Sequence, residues 1–160
     1  MIICAITFYD VVLTVHILAV VIAFGVVFAY PVIDAYIRRA APGNLVALHQ
    51  LHVVLSRRLV QPAMTVVLLA GLYLATDRWS LGDPWISATF AILIVLFALT
   101  GAVLTPADVR LAELAARDTS TGGGPSADYE RERRRADLLG GLALALVIVA
   151  VFLMTAKPGA

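Results

Sequence analysis

Long apolar stretches alternate with short polar ones along this chain of 160 residues. The first stretch, residues 10–33, holds about 23 nearly uninterrupted apolar residues, and a helix of that length crosses the ~30 Å hydrocarbon core of a bilayer. Three more stretches follow, at residues 59–76, 84–104 and 138–155. An apolar surface that continues all round a helix suits lipid rather than water. The pattern therefore predicts four membrane-spanning helices.

Polar segments at residues 38–58 and 106–137 separate the first span from the second and the third from the fourth. Residues 45–56 carry apolar side chains at helical spacing. Pro106 marks the end of the third span, and residues 119–125, with three consecutive glycines, predict a flexible linker. We expect both polar segments to form helical extensions and loops outside the membrane. The predicted fold is all-α, a single domain built as a transmembrane four-helix bundle with up-down topology.

Composition and charge narrow the class of protein further. Hydrophobic residues make up 61% of the chain and the net charge is only +1, so no basic surface suggests nucleic acid as a partner. The single cysteine, Cys4, excludes an internal disulfide, and we expect it to pack as a small hydrophobe. No basic residue precedes the first span, which we expect to be retained rather than cleaved as a signal peptide. Trp79 and Trp85 flank the loop between the second and third spans, in positions typical of the membrane interface.

Basic residues are distributed unevenly between the two sides of the predicted bundle. One side holds ten arginines, whereas the other holds only Arg78 and Lys157. The ten are Arg38, Arg39, Arg57, Arg58, Arg110, Arg117, Arg131, Arg133, Arg134 and Arg135. Such an excess is typical of cytoplasmic loops, so we predict that both termini lie outside. We interpret Arg38, Arg39, Arg57, Arg58, Arg133, Arg134 and Arg135 as topology signals that also contact anionic lipids. The preference for arginine over lysine indicates a bacterium of high GC content, and hence a bacterial inner (cell) membrane.

His16 is an ionisable residue inside the first span. Ionisable residues are rare at this depth and often mark functional sites. Counting equal depth along the other helices places Tyr73 of the second span and Met154 of the fourth in the same layer. One interpretation is a neutral structural histidine that is hydrogen-bonded within the bundle. The alternatives are a haem or metal ligand, with Tyr73 or Met154 opposite, or a proton relay.

His49 and His52 are three residues apart, a spacing that lets one metal ion bind both from a single helical face. No acid or cysteine stands beside them in the sequence to complete such a site. We therefore interpret them as a solvated or headgroup-facing pair, with metal binding as the alternative. One haem does not fit between His16 and His52. If Arg57 marks the interface, His52 lies about 7 Å outside the hydrocarbon, whereas His16 lies about 20 Å or more from Arg57 in the opposite direction.

The segment VHILAVVIAFGVVFAYP, residues 15–31, combines a histidine, a short apolar run, Phe-Gly and an aromatic-Pro pair. A basic exit and three more spans follow it. This order resembles the bacterial four-span membrane proteins grouped as domain of unknown function 2269. It is more distantly similar to the membrane part of copper-resistance D proteins and to HemJ-type protoporphyrinogen oxidases. The resemblance implies a four-span membrane protein, and the more distant likeness implies haem or copper-related chemistry at His16.

Two functional hypotheses follow from these patterns. The first is a non-enzymatic integral membrane protein without a cofactor, an accessory, transporter-like or complex-forming subunit. It would associate with itself or with a larger complex through the fourth span, where Gly141 and Ala145 permit close helix approach. The alternative is a haem-binding membrane redox protein with His16 as axial ligand. The chain contains no P-loop, no GxSxG motif and no paired carboxylates within a span, so soluble hydrolase or phosphate chemistry is not supported.

Overall fold

The computed structural model describes residues 6–78 and 80–159, with the backbone alone at Arg78. Four long helices make up nearly all of it: α1 (Phe8–Ala40), α2 (residues 45–78), α3 (Pro84–Ser120) and α4 (Ala127–Ala156). A short 3-10 turn, Pro42–Asn44, joins α1 to α2. Within the described residues there is no strand, and the all-α prediction is confirmed. The predictions for Cys4 and Trp79 concern residues outside the described part of the chain.

All four helices extend beyond the apolar stretches that predicted them. The start of α1 is set by Thr7 and Asp10, whose side chains and backbone groups form a reciprocal capping box. Pro31 lies inside α1, which nevertheless continues to Ala40. A proline inside a membrane helix is tolerated where neighbouring groups satisfy the carbonyl that it frees. The spans and their extensions are therefore continuous rods rather than separate helices.

Two π-helical turns lie next to each other in the bundle, Ser56–Val60 in α2 and Leu99–Leu104 in α3. Each turn ends two residues before a proline, Pro62 or Pro106. A proline ring inside a regular α-helix clashes with the carbonyl group four residues earlier. A turn that is wider than an α-helical turn relieves this clash. The helix therefore widens and passes through Pro106 into the predicted extension, and the end of the membrane span at Pro106 stays a prediction.

Side-chain hydrogen bonds join the two π-helical turns. The hydroxyl oxygens of Ser56 and Thr105 are 2.6 Å apart. The Thr105 hydroxyl also donates to the Thr100 carbonyl at 2.8 Å, and the Gln61 amide donates to the Thr100 hydroxyl at 2.9 Å. Gly101 leaves the space for that amide, since a Cβ there would lie 2.9 Å from Gln61 Nε2. These bonds hold α2 against α3 at the point where both helices are widened.

The described residues form three apolar cores, of which the smallest consists of Ala75, Trp85 and Ile86, and the other two follow one another along the bundle. The larger core, in the spanning region, takes buried residues from all four helices: Ala19, Ala23, Phe24, Val60, Ala63, Met64, Val67, Leu93, Leu96, Ala143 and Val147. The smaller core consists of Leu45, Leu48, Leu111, Ala115 and Tyr129. It forms where Leu45–Leu55 of α2 packs closely against Thr105–Ser120 of α3. The helical extensions are therefore a packed second layer of the bundle.

Large apolar side chains cover the outside of the spanning region. Val21, Leu69, Ile94 and Phe152 are each more than 60% exposed, at 62%, 66%, 61% and 61%. A continuous apolar surface of this kind is unfavourable in water and favourable against lipid. All four helices are long and apolar enough to cross a membrane. The predicted transmembrane four-helix bundle is confirmed.

The connection between α3 and α4 is shorter than the predicted linker at residues 119–125, because α3 occupies the first two of those residues. Gly122 adopts a φ of 71°, which glycine tolerates without strain. The Asp118 carboxylate accepts the backbone N–H of Ser126 at 2.7 Å. The Ser126 hydroxyl in turn accepts the Tyr129 N–H at 3.3 Å and caps α4. Asp118 thus ties the start of α4 to the end of α3.

Candidate functional site: a buried histidine and aspartate cluster

His49 and His52 lie side by side on α2 and are buried. Each has only 4% of its surface exposed, and their ring centroids are 6.0 Å apart with nearly perpendicular planes. The interpretation of a solvated or headgroup-facing pair is therefore wrong. The physical reason is that the extensions of α2 and α3 pack against each other, and this contact covers the face of α2 that carries both rings.

Asp108 of α3 supplies the acid that the neighbouring sequence lacks. Its Oδ1 atom lies 3.1 Å from His49 Nδ1 and 3.4 Å from His52 Nδ1. Asp108 comes two residues after Pro106, so it reaches this position only because α3 continues through the proline. The three side chains bring one ligand atom each to within 4.8 Å of the others. Two helices therefore form one compact cluster of possible metal ligands.

The other two helices close around this cluster. The Tyr129 hydroxyl of α4 lies 3.0 Å from His49 Nε2. Asp34 Oδ1 of α1 lies 3.3 Å from His52 Nε2. Tyr30, also on α1, stacks on the His52 ring with 4.2 Å between centroids. Each imidazole thus turns one nitrogen towards Asp108 and the other towards a second polar side chain.

The contact between His52 and Asp34 is close but poorly aligned. Although His52 Nε2 and Asp34 Oδ1 are 3.3 Å apart, both atoms are buried and neither makes a hydrogen bond of acceptable angle within the described residues. The buried Tyr30 hydroxyl also has no hydrogen-bond partner there. A buried polar atom without a partner costs about 1–3 kcal/mol. The cluster is therefore a buried polar region in which some atoms lack hydrogen bonds within the described residues.

Burial and hydrogen bonding set the charges of two members of the cluster. Burial by itself would raise the pKa of Asp108, but its hydrogen bonds with His49 and His52 outweigh that effect and hold the pKa below its ordinary value. Burial raises the pKa of Tyr129 to about 12. At neutral pH, Asp108 is therefore a carboxylate and Tyr129 a neutral phenol. A phenol both donates and accepts hydrogen bonds, so Tyr129 suits either tautomer of His49.

A cavity of about 440 Å³ adjoins the cluster. Its polar lining comprises Tyr30, Asp34, Arg38, His49, His52, Ser56, Thr100, Thr105, Asp108, Arg133 and Asp137. Arg133 forms ion pairs with Glu130 and Asp137 of its own helix. Gly140 and Gly141 of α4 also line the cavity, and a Cβ at either would meet nothing within 4 Å. The cavity therefore joins the polar cluster, both π-helical turns and α4.

His16 occupies a different environment within the spanning region. It is 6% exposed and packs against α2, where a Cβ at Gly71 would lie 3.2 Å from His16 Cε1 and 4.0 Å from the ring of Phe90. His16 Nδ1 has no hydrogen-bond partner among the described residues, so neither the Tyr73 hydroxyl nor the Met154 sulfur reaches it. Tyr73 instead packs edge-on against the ring of Phe8, at 5.4 Å between centroids. Haem ligation by His16 stays a prediction.

The arginines interpreted as topology signals lie at or near one end of the bundle. We call this the basic end, where α1 and α3 finish and α2 and α4 begin. Arg39, Arg57, Arg58, Arg134 and Arg135 are exposed there, whereas Arg38 and Arg133 are half-buried and line the cavity. Gly141 and Ala145 are exposed on α4. Membrane orientation, contact with anionic lipids and self-association through α4 stay predictions.

Three residues of this site were not among the candidate site residues selected from the sequence. They are Asp108 of the cluster and its neighbours Asp34 and Tyr129. Equal-depth counting is the signal that would have found the two acids. Asp34 follows the first apolar stretch directly, Asp108 comes four residues after the third, and His52 comes seven residues before the second. At 1.5 Å per residue these positions lie within about 10 Å of one depth. Tyr129 carries no comparable signal, because nothing local predicts its burial.

The fold and the cluster define a polytopic integral membrane protein whose basic end contains a cavity lined by ionisable side chains. The chain belongs to the family described as predicted integral membrane protein (DUF2269), whose sequence model matches residues 10–158. The resemblance to domain of unknown function 2269 is thereby confirmed, whereas the more distant likeness to copper-resistance D and HemJ-type proteins stays a prediction. No curated protein matches the chain, and neither does any solved structure.

Proposed function

We propose that this protein is a non-enzymatic, transporter-like subunit of the bacterial inner membrane that binds a small polar or ionic solute at its basic end. The basic end faces the cytoplasm and both termini lie outside, in keeping with the excess of arginine on that side. The observation that carries the proposal is the cavity of about 440 Å³ lined by His49, His52 and Asp108. Cavities of this volume accommodate small ligands.

The position of the cavity supports a role in handling a solute. It lies where the larger apolar core gives way to the smaller one, with Val60 on one side and Leu111 on the other. Ionisable side chains inside membrane spans commonly mark the pathways of ions or substrates, and this cavity lies at the ends of the spans. The two π-helical turns beside it add support, since such turns occur frequently at functional sites.

The hydrogen bonds around the cavity favour a binding role over a catalytic one. An activated hydroxyl nucleophile needs a general base within hydrogen-bond distance. The hydroxyls of Ser56 and Thr105 are bonded to each other, and the latter also donates to a backbone carbonyl. The nitrogens of His49 and His52 face Asp108 and the other polar side chains of the cluster instead. This arrangement binds a ligand without activating a nucleophile.

Cysteine labelling tests the proposal in the full-length protein. Cys4→Ser removes the native thiol, and Gly140→Cys then introduces one thiol at the cavity wall, where a Cβ meets nothing within 4 Å. Gly25→Cys is the matched control, because Gly25 is exposed within the first span and a Cβ added there also meets nothing within 4 Å. A membrane-impermeant maleimide is applied to intact cells and to inverted membrane vesicles.

We expect Gly140→Cys to react in inverted vesicles and not in intact cells, whereas Gly25→Cys reacts in neither because a thiol in hydrocarbon does not ionise. Both variants should react fully after denaturation. A folded Gly140→Cys protein that stays unlabelled in both preparations would contradict a water-filled cavity. Labelling in intact cells alone would contradict the proposed orientation.

A further inference from the structure

We infer that His49, His52 and Asp108 form a binding site for one divalent transition-metal ion of the Zn²⁺ type. The inference rests on the proposed function, since it names the solute that the cavity receives. It depends on three observations that are independent of the cavity volume. These are the spacing of the ligand atoms, the groups behind the two imidazoles, and the buried atoms that lack hydrogen bonds.

The spacing of the ligand atoms fits a tetrahedral ion. Zinc binds histidine nitrogen and carboxylate oxygen at about 2.0–2.2 Å, which puts neighbouring ligands of a tetrahedral site roughly 3.3–3.5 Å apart. The Asp108 Oδ1 atom is 3.1 Å from His49 Nδ1 and 3.4 Å from His52 Nδ1. All three ligand atoms lie within 4.8 Å of one another. Two of the three pairs therefore have tetrahedral spacing, and the two imidazole nitrogens, which lie within 4.8 Å of each other, move closer together when an ion replaces the bridging protons.

The groups behind the imidazoles form the outer shell that a metal site requires. A histidine that binds a metal through one nitrogen usually donates its other N–H to a carboxylate or another oxygen, which fixes the ring. His52 Nε2 faces the Asp34 carboxylate at 3.3 Å, and His49 Nε2 faces the Tyr129 hydroxyl at 3.0 Å. Each of the four helices thus contributes either a ligand or an outer-shell group.

Metal binding would also provide a role for two buried polar atoms, His52 Nε2 and Asp34 Oδ1. Without a metal, His52 Nε2 and Asp34 Oδ1 are buried and have no aligned partner among the residues that the structure describes. A metal on Nδ1 requires the proton of that ring to sit on Nε2, which lies 3.3 Å from Asp34 Oδ1 and must realign to donate to it. The two carboxylates, Asp34 and Asp108, compensate the charge of a divalent cation. Arg38 also lines the cavity and lies close enough to Asp34 to interact with its charge.

The ligand types select the class of metal. Two imidazoles and one carboxylate suit divalent transition metals such as Zn²⁺, Co²⁺, Ni²⁺ and Fe²⁺, whereas Mg²⁺ and Ca²⁺ prefer sites made of oxygen atoms alone. The described cluster contains no thiolate, which is the ligand that Cu⁺ prefers. Three protein ligands leave one position of a tetrahedral ion for water or another solute. This open position distinguishes the site from a closed structural zinc site.

Metal titration of the full-length protein in detergent tests the inference. The protein carries a purification tag without histidine and is first treated with a chelator. Zn²⁺ is titrated in competition with a chromophoric chelator, and Co²⁺ is added in parallel because tetrahedral Co²⁺ absorbs visible light strongly. The variants are His52→Ala, Asp108→Asn and Asp34→Asn, and His16→Ala is the matched control because it removes the third histidine of the chain.

We expect one ion per chain and an intense visible Co²⁺ spectrum. Asp34→Asn should weaken Zn²⁺ binding by about 10–100-fold, as loss of an outer-shell group does. His52→Ala and Asp108→Asn should weaken it further, and His16→Ala should leave it unchanged. Asp108→Asn keeps the shape of the side chain, so it separates loss of a ligand from loss of folding. Size-exclusion profiles confirm that each variant is folded.

The inference is overturned if the wild-type protein binds no Zn²⁺, or if folded His52→Ala and Asp108→Asn proteins bind it as tightly as the wild type. That failure is distinguishable from failure of the proposed function. A cavity that excludes Zn²⁺ but admits the maleimide at Gly140→Cys still receives a solute of another class. A cavity that excludes both reagents contradicts both proposals.

Discussion

His16 and His52 are buried to nearly the same extent, at 6% and 4% exposed, yet the side chains around the two rings differ. The ring of His16 lies against Gly71 and close to Phe90, and its Nδ1 has no hydrogen-bond partner among the described residues. The ring of His52 lies between two carboxylates and stacks on a tyrosine. Burial alone therefore does not distinguish a packing histidine from a candidate ligand. The distinction comes from the side chains that other helices place next to the ring.

The two regions also differ in how they depend on their neighbours. The His16 region depends on shape, because Gly71 provides the space into which the imidazole fits. The cluster at His49 and His52 depends on polar contacts from four helices. Loss of one member of a buried polar network leaves its partners unsatisfied, whereas a change in a packed contact alters only the local fit. This difference predicts distinct responses to substitution.

Gly71→Val should have the largest effect on stability. A Cβ added at position 71 would lie 3.2 Å from His16 Cε1, and the two methyl groups of valine would overfill the space beside the ring. We expect the free energy of unfolding to fall by about 1–3 kcal/mol, as is typical of overpacking. Unfolding with sodium dodecyl sulfate in mixed micelles measures this change.

Gly25→Val is the matched control for this substitution, because a Cβ at Gly25 meets nothing within 4 Å. The double variant with His16→Ala should recover most of the loss caused by Gly71→Val, since removal of the ring restores the space. Equal effects of valine at positions 25 and 71, with no recovery in the double variant, would disprove a packing role for His16.

Tyr129→Phe should have a smaller effect on stability and a specific effect on metal binding. The substitution keeps the buried ring but removes the hydroxyl that lies 3.0 Å from His49 Nε2. We expect a loss of about 1–2 kcal/mol, in the lower part of the range for a buried polar atom left without a partner, because His49 Nε2 loses the hydroxyl. The affinity for Zn²⁺ should fall by about tenfold, the lower limit for loss of an outer-shell group.

Tyr73→Phe provides the corresponding control in the His16 region. The ring of Tyr73 packs edge-on against Phe8 at 5.4 Å, and phenylalanine preserves that contact. We expect a change in stability below about 0.5 kcal/mol and no change in Zn²⁺ affinity. If the two tyrosine variants have the same affinity for Zn²⁺, Tyr129 does not orient His49.

Hydrophobic pattern and length predicted the four spans because each apolar stretch needs no information from elsewhere in the chain. The course of the helix through Pro106 was not predictable in the same way, since it depends on a widened turn in which the Thr100 hydroxyl accepts a hydrogen bond from Gln61 of another helix. The burial of His49 and His52 depends on the packing of α2 against α3, and their acid stands 59 and 56 residues away. Local spacing identified the histidine pair, and only tertiary structure completed the cluster.

The smallest expected effect concerns haem. Ligation by His16 predicts a Soret band in the purified protein that disappears in His16→Ala and persists in His49→Ala. The close packing of His16 against Gly71, where an added Cβ would lie 3.2 Å from His16 Cε1, predicts that no haem binds. A porphyrin next to this ring needs space that α2 occupies. We therefore expect no Soret band in oxidised or dithionite-reduced protein expressed with a haem precursor in the medium. A band that His16→Ala removes would show that α1 and α2 separate at Gly71 to admit the cofactor. The His16 region would then be the redox centre, and the cluster at the basic end a second site.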